Sequence, residues 1–160
     1  MTPIGIIALA VSVLAAGLFS GLMFTLIFLM QLKWDRQTAA EYITDIQPFL
    51  EVGKGNRVIA LVLFVGLLAP IPALLGTGDL QTGAVTLLIL TGMIIFGLGA
   101  LGVTVVLNLP TYHAIMSLNP QSPDDSWQTL KQRFFRLNLM RFIASFVALL
   151  LFVAAMAIQL

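Results

Sequence analysis

The run Thr82–Leu109, TGAVTLLILTGMIIFGLGALGVTVVLNL, contains no Asp, Glu, Lys or Arg. A helix that crosses a bilayer needs roughly 20 apolar residues, so this segment reads as a membrane span. Three other stretches have the same character: about Pro3 to Leu32, about Val58 to Leu75 and about Asn138 to Leu160. No Lys or Arg precedes the first, so it is expected to be a span rather than a cleaved signal peptide. The composition agrees, with 59% hydrophobic and 9% charged residues and a mean hydropathy of +1.03. A chain this apolar cannot cover a soluble surface with polar groups and must face lipid. The expectation is an all-α fold: one domain over residues 1–160, an integral membrane four-helix bundle with cytoplasmic helical extensions.

Several function classes are excluded. A net charge of +1 supplies no concentrated basic face for nucleic acid. With no cysteine, disulfides, iron–sulfur clusters and Cys-based zinc sites are ruled out. H-E-x-x-H, P-loop and G-x-S-x-G motifs are also lacking, and no metal site is expected.

Orientation follows from the basic residues. Lys33, Arg36, Lys54 and Arg57 lie in or beside the connection between spans one and two. Lys131, Arg133, Arg136 and Arg141 lie in or beside the connection between spans three and four. Those are all eight, and the turn GTGDLQTG around Asp79 has none. The positive-inside bias makes both basic connections cytoplasmic, with both termini outside, in a bacterial-type inner membrane.

Local signals add detail. Span one carries GLFSG, Gly17–Gly21, a small-xxx-small spacing that lets helices approach closely. It is expected to continue past the membrane into an amphipathic segment, where Trp34, Tyr42, Ile43, Ile46, Phe49 and Leu50 recur near helical spacing. Pro48 is expected to interrupt that segment, and Gly53 and Gly55 to end it. Pro70 and Pro72 predict a kink or an end in span two. Gly92, Gly97, Gly99 and Gly102 in span three predict tight packing against a neighbour. Ser122 reads as a cap and Pro123 as the first residue of a helix running straight into span four, with Asp124 and Asp125 in its first turn. On that helix Trp127, Lys131, Phe134, Asn138, Arg141 and Ser145 share one face.

Polar groups gather in one layer. Gln31 and Trp34 close span one, and Asn56 and Arg57 open span two. Thr104 and Asn108 lie near the end of span three, followed by Pro110, which reads as its stop, then Tyr112 and His113. Asn138 and Arg141 open span four. Such groups at membrane depth are costly unless paired or hydrated. Two readings stand side by side. The layer knits the helices through hydrogen bonds worth about 0.6–2 kcal/mol each, or it forms a pocket at the cytoplasmic end. Arg141 is expected to turn inward, close to Asn108, toward an amide, a carbonyl, Tyr112 or an acid such as Glu41 or Asp45. His113, the lone histidine, reads as an interfacial residue, as a general acid or base over the pocket mouth, or as a single axial haem ligand.

The stretch VTVVLNLP, Val103–Pro110, followed by Trp127 and by RLNLMR, Arg136–Arg141, resembles the anthrone-oxygenase-like family of small four-span membrane proteins, many of unknown function. The matching residues are Asn108, Pro110, Trp127, Asn138 and Arg141, with Asn56 before span two. Two residues after the proline, where the family often has Asn or His, this chain has Tyr112, with His113 one later. The resemblance implies oxidation of an anthrone by molecular oxygen without a cofactor. His113 or Tyr112 would be the base, and Arg141, Asn108 and Asn138 would stabilise the anion. As catalytic candidates we therefore take His113, Tyr112 and Arg141, and as ligand-binding candidates Asn56, Asn108, Trp127, Asn138 and Arg141. The partners expected are the lipid bilayer and a flat aromatic or quinone-like molecule. The alternative is a non-catalytic accessory or assembly subunit of a larger membrane complex, or a homo-oligomer, with the glycines of spans one and three facing the partner.

Overall fold

The computed structural model describes residues 1–76 and 83–159. The expected polar turn at Asp79, the start of span three at Thr82 and the last residue, Leu160, lie outside them. The described residues form five helices and no strand, and four of the helices are long and apolar enough to cross a membrane. We number them α1 (Pro3–Trp34), α2 (Ala39–Lys54), α3 (Arg57–Leu75), α4 (Ala84–Met116) and α5 (Ser126–Gln159). The protein is a multi-pass membrane helical bundle.

Around the bundle the order is α3, α1, α5, α4, with consecutive members packed together along three sides. The fourth side, between α3 and α4, is packed where Gly66 lies against the Phe96 ring and Leu67 against Gly97, and opens from there toward the basic end. Met1 and Gln159 meet at one end through a 2.9 Å bond from the terminal ammonium, and the Thr2 amide reaches Gly76 O there. The basic residues other than Arg141 gather at the opposite end, called the basic end below.

Gly92, Gly97 and Gly99 of span three set helix separations as expected, while Gly102 meets only the Gly97 carbonyl of its own helix. A Cβ on Gly99 would collide with Ala144 Cβ of α5, and one on Gly92 would lie 2.6 Å from the Phe152 ring. Gly97 sits close to Leu67 of α3. In α1, by contrast, Gly21 meets nothing within 4 Å and Gly17 only an ordinary contact with Leu149. The GLFSG spacing therefore does not mark a close helix crossing within this chain.

Four expectations about helix ends are corrected. First, α1 does not continue into the amphipathic segment. It stops at Trp34, where Lys131 Nζ donates to the Trp34 carbonyl (2.8 Å) and pairs with Asp35 (2.9 Å). The chain then restarts at Thr38, whose N–H (2.8 Å) and hydroxyl (2.9 Å) both donate to the Glu41 carboxylate. A Thr-x-x-Glu start competes successfully with helix continuation because it satisfies donors that a new N-terminus leaves free. Second, Pro48 lies inside α2 without breaking it, and the helix runs on to Lys54 with its cap at Gly55.

Third, α4 passes through Pro110 and ends only at Met116. The reason is a wide, π-helical turn over Thr104–Asn108, in which Leu109 N–H bonds five residues back to Thr104 O. Helical hydrogen bonding restarts at Leu109, so Pro110 falls in a first turn, where its missing N–H costs nothing and its ring has room. Fourth, α5 starts at Ser126 rather than Pro123. The Asp124 carboxylate accepts from Ser126 N–H (2.9 Å) and from its hydroxyl. Aspartate is at least as good a cap as serine and adds charge at the positive end of the helix dipole. From Ser126 the helix runs unbroken, as expected, to Gln159. In α3 the prolines act as anticipated: helical bonding is interrupted at Ala69, and one further turn ends at Gly76.

The amphipathic segment is α2. Its buried face is Tyr42, Ile43, Ile46 and Leu50, at the one-, three- and four-residue steps of a half-buried helix. Gln47 Nε2 donates to the carbonyls of Leu118 (2.9 Å) and Ile115 (3.1 Å) and so closes the end of α4. Asp45 accepts from Lys33 (2.8 Å) and from the buried Trp34 indole (2.9 Å). The Lys33 bond chiefly holds its carboxyl below the ordinary carboxylate range. Burial, and secondarily the Asp35 charge, push the Tyr42 hydroxyl well above its ordinary range.

Candidate functional site

The inward polar stripe of α5 decides what lies beneath α2. Phe134, Asn138, Arg141 and Ser145 are all buried, whereas Trp127 and Lys131 are half-buried at the exposed start of the helix. Arg141 is 3% exposed. Its Nη1 donates to Asn138 Oδ1 (2.8 Å) and lies 3.4 Å from the Tyr112 hydroxyl of α4. Its guanidinium carbon sits 5.1 Å from the centre of the Phe19 ring of α1. Asn108 of α4 donates to the same Asn138 oxygen at 3.3 Å. Arg141 and Asn108 thus meet through Asn138, facing into the bundle.

No carboxylate joins this cluster among the described residues. Asp45 is taken by Lys33 and Trp34, and Glu41 by the start of α2. Of the partners expected for Arg141, the amide and Tyr112 are found and neither acid is, while the aromatic face of Phe19 is an addition. A guanidinium stays protonated in proteins, so a full positive charge stands buried without a counter-charge.

The hydrogen-bond pattern also fixes direction. Asn138 Oδ1 receives two donors, which determines how both amides face. Asn138 Nδ2, Asn108 Oδ1 and Arg141 Nε then remain buried with no partner among the described residues. Buried polar atoms are nearly always satisfied, and each orphan costs about 1–3 kcal/mol.

In front of Arg141 lies a cavity of about 350 Å³. Its walls come from four helices and the end of α2: Leu22, Met23 and Leu26 of α1, Leu50 of α2, Leu63 of α3, Leu101, Thr104 and Tyr112 of α4, and Arg141 itself. Cavities that hold small organic ligands run from about 300 to 1,000 Å³ and are mainly apolar with a few polar groups. Three π-helical turns, Leu26–Met30 in α1 and Gly97–Gly102 and Thr104–Asn108 in α4, contribute lining residues. Such widened turns recur at functional sites.

The sequence candidates are distributed unevenly around this cavity. Tyr112 and Arg141 line it. Asn138 and Asn108 stand behind Arg141, fully buried and off the wall. Asn56 lines it too, but its side-chain oxygen is committed to the start of α3, accepting from Val58 N–H (2.9 Å) and Ile59 N–H (3.1 Å). Trp127 borders a different groove of about 480 Å³ at the basic end, with Gln31, Asp35 and Lys131, and its ring packs near Tyr42. His113 is exposed and does not line the cavity. An iron held there would sit on the outer face of α4. Phe19 is the residue that sequence reasoning missed; an aromatic in the middle of an apolar span carries no signal that it will lie over a guanidinium.

A helical membrane bundle with a polar cluster at one end is thus the class of protein. The family model for anthrone oxygenase matches residues 49–151, which include every candidate residue above. The chain belongs to the anthrone oxygenase family. No curated protein and no solved structure matches it.

Proposed function

We propose that the protein is a cofactor-independent oxygenase that binds a flat aromatic carbon acid, of which anthrone is the simplest example, in the cavity before Arg141. The observation that carries this reading is a buried guanidinium, unpaired with any carboxylate among the described residues, facing an apolar cavity. A ligand that becomes anionic there gains a desolvated charge partner that water cannot match. The reaction balances as anthrone plus O₂ giving anthraquinone plus water. Tyr112, whose hydroxyl oxygen faces Arg141 Nη1, is the assigned base and takes one proton from the ring methylene carbon. The resulting enolate is stabilised by Arg141. The carbanion carbon gives electrons to O₂ and forms a C–O bond. The second C–H proton and the outer oxygen then leave with the Tyr112 proton as water, and a carbonyl remains. Asn138 and Asn108 orient the guanidinium from behind. His113 takes no part in this scheme, since a base must reach the proton it removes.

In detergent or nanodiscs, purified protein should consume one O₂ per anthraquinone formed, faster than the protein-free autoxidation of anthrone. Oxygen uptake no faster than that background, together with stable co-purification of a larger complex, would favour the accessory-subunit reading instead.

The basic end is proposed to face the cytoplasm of a bacterial-type inner membrane, on the strength of its seven clustered Lys and Arg residues. The chain has no native cysteine, so single cysteines report cleanly. Asp79→Cys should react with an impermeant maleimide on intact cells and Ser126→Cys only after lysis. Equal labelling of both would reject this topology.

A further inference from the structure

The cavity before Arg141 is not closed equally on all sides. Met23 and Leu26 on the α1 wall are buried, as are Leu50 and Leu63. The exposed lining residues of the two spans beside it are Ala60 and Phe64 on α3 and Val105 on α4. These flank the part of the α3–α4 side beyond the Gly66–Phe96 contact, toward the basic end, where the two helices part. That side faces lipid, and none of the three residues carries a polar side-chain atom.

Resting on the function proposed above, we propose that the gap between α3 and α4 is a lateral portal, through which a bilayer-dissolved aromatic acid enters uncharged. An anion would lose its hydration crossing an apolar opening with nothing to replace it. A neutral weak acid partitions into hydrocarbon, passes Ala60, Phe64 and Val105, and gives up its proton only where Tyr112 and Arg141 receive it. The substrate class that follows is a neutral, membrane-soluble, weakly acidic polycyclic aromatic. Arg141 then meets charge created inside the cavity.

The test uses 1,8-dihydroxyanthraquinone as probe, with the full-length protein in phosphatidylcholine nanodiscs. Quenching of the two native tryptophans, Trp34 and Trp127, reports binding in stopped flow. Ala60→Phe and Val105→Phe narrow the gap from opposite helices at lipid-facing positions, where neither change disturbs the core. Each should slow association and release by about tenfold. Val106→Phe, also exposed on α4 but off the cavity lining, should change neither rate. Equal slowing by Val106→Phe, or wild-type rates in both portal variants, would overturn the portal while leaving the site itself standing. A wild-type protein that does not bind the probe would overturn the site reading and the portal together.

Discussion

Arg141→Gln is expected to fold, to retain most or all of its thermal stability and to lose turnover of anthrone by about 10²–10³-fold, the usual effect of removing a donor aimed at a developing oxyanion. Glutamine keeps much of the length and can still donate to Asn138 Oδ1. What it removes is the charge. A buried cation without a counter-charge is a liability for stability, and replacing buried ionic groups with neutral ones is often neutral or stabilising. A purely structural role predicts the opposite pattern: a lower melting temperature, with ligand still bound by whatever fraction folds. Arg141→Lys separates charge from shape. An ammonium keeps the charge but not the flat guanidinium that reaches Asn138 and Tyr112 through Nη1 and lies over Phe19, so it should recover part of the loss. A folded Arg141→Gln protein that oxidises anthrone at the wild-type rate would remove the central residue of the proposed mechanism.

The four spans and their polar layer were legible because hydropathy and helical spacing are summed over many residues, and no local detail overrides them. Arg141, Asn108 and Asn138 were legible for the same reason: at that depth, inward is the only inexpensive direction for a charge or an amide. Helix ends were harder, because each is decided by one or two hydrogen bonds. Glu41 starts a new helix at Thr38, and Asp124 outcompetes Ser122 as the cap of α5. The wide turn before Pro110 had the largest consequence for the site. Read as a stop, Pro110 leaves Tyr112 and His113 free to fold over the same mouth. With α4 continuous, successive residues point about 100° apart. Tyr112 then faces the cavity and His113 turns outward. Nor can hydropathy say which spans are neighbours. The open stretch between α3 and α4 beside the cavity lies between helices adjacent in the chain, where sequence order alone would suggest close packing.

Gly99→Leu should lower stability by about 1–3 kcal/mol or more, and Gly92→Leu should do likewise, whereas Gly21→Leu should be silent. Thermal unfolding in a single detergent checks all three. At Gly99 even the first added carbon meets Ala144 of α5, and at Gly92 it meets the Phe152 ring. Neither helix can yield without moving the other, because a membrane interior is packed as tightly as any core. At Gly21 the space is open, so the same substitution there adds only lipid-facing surface. The expected damage also reaches the site. Gly99 and Asn108 lie on one helix, and Ala144 is less than one turn beyond Arg141 on the next. A leucine that pushes α4 away from α5 must lengthen the 3.3 Å bond between Asn108 and Asn138 and loosen the support behind the guanidinium. Gly99→Leu should therefore cost turnover in its folded fraction. Gly92→Leu, about two turns further from Asn108 than Gly99 and toward the far end of the bundle, should cost stability with turnover per folded molecule largely kept. Equal turnover losses at the two positions would mean that α4 moves as a rigid rod. Silence at both would mean that the α4–α5 contact does not set the geometry of the cluster.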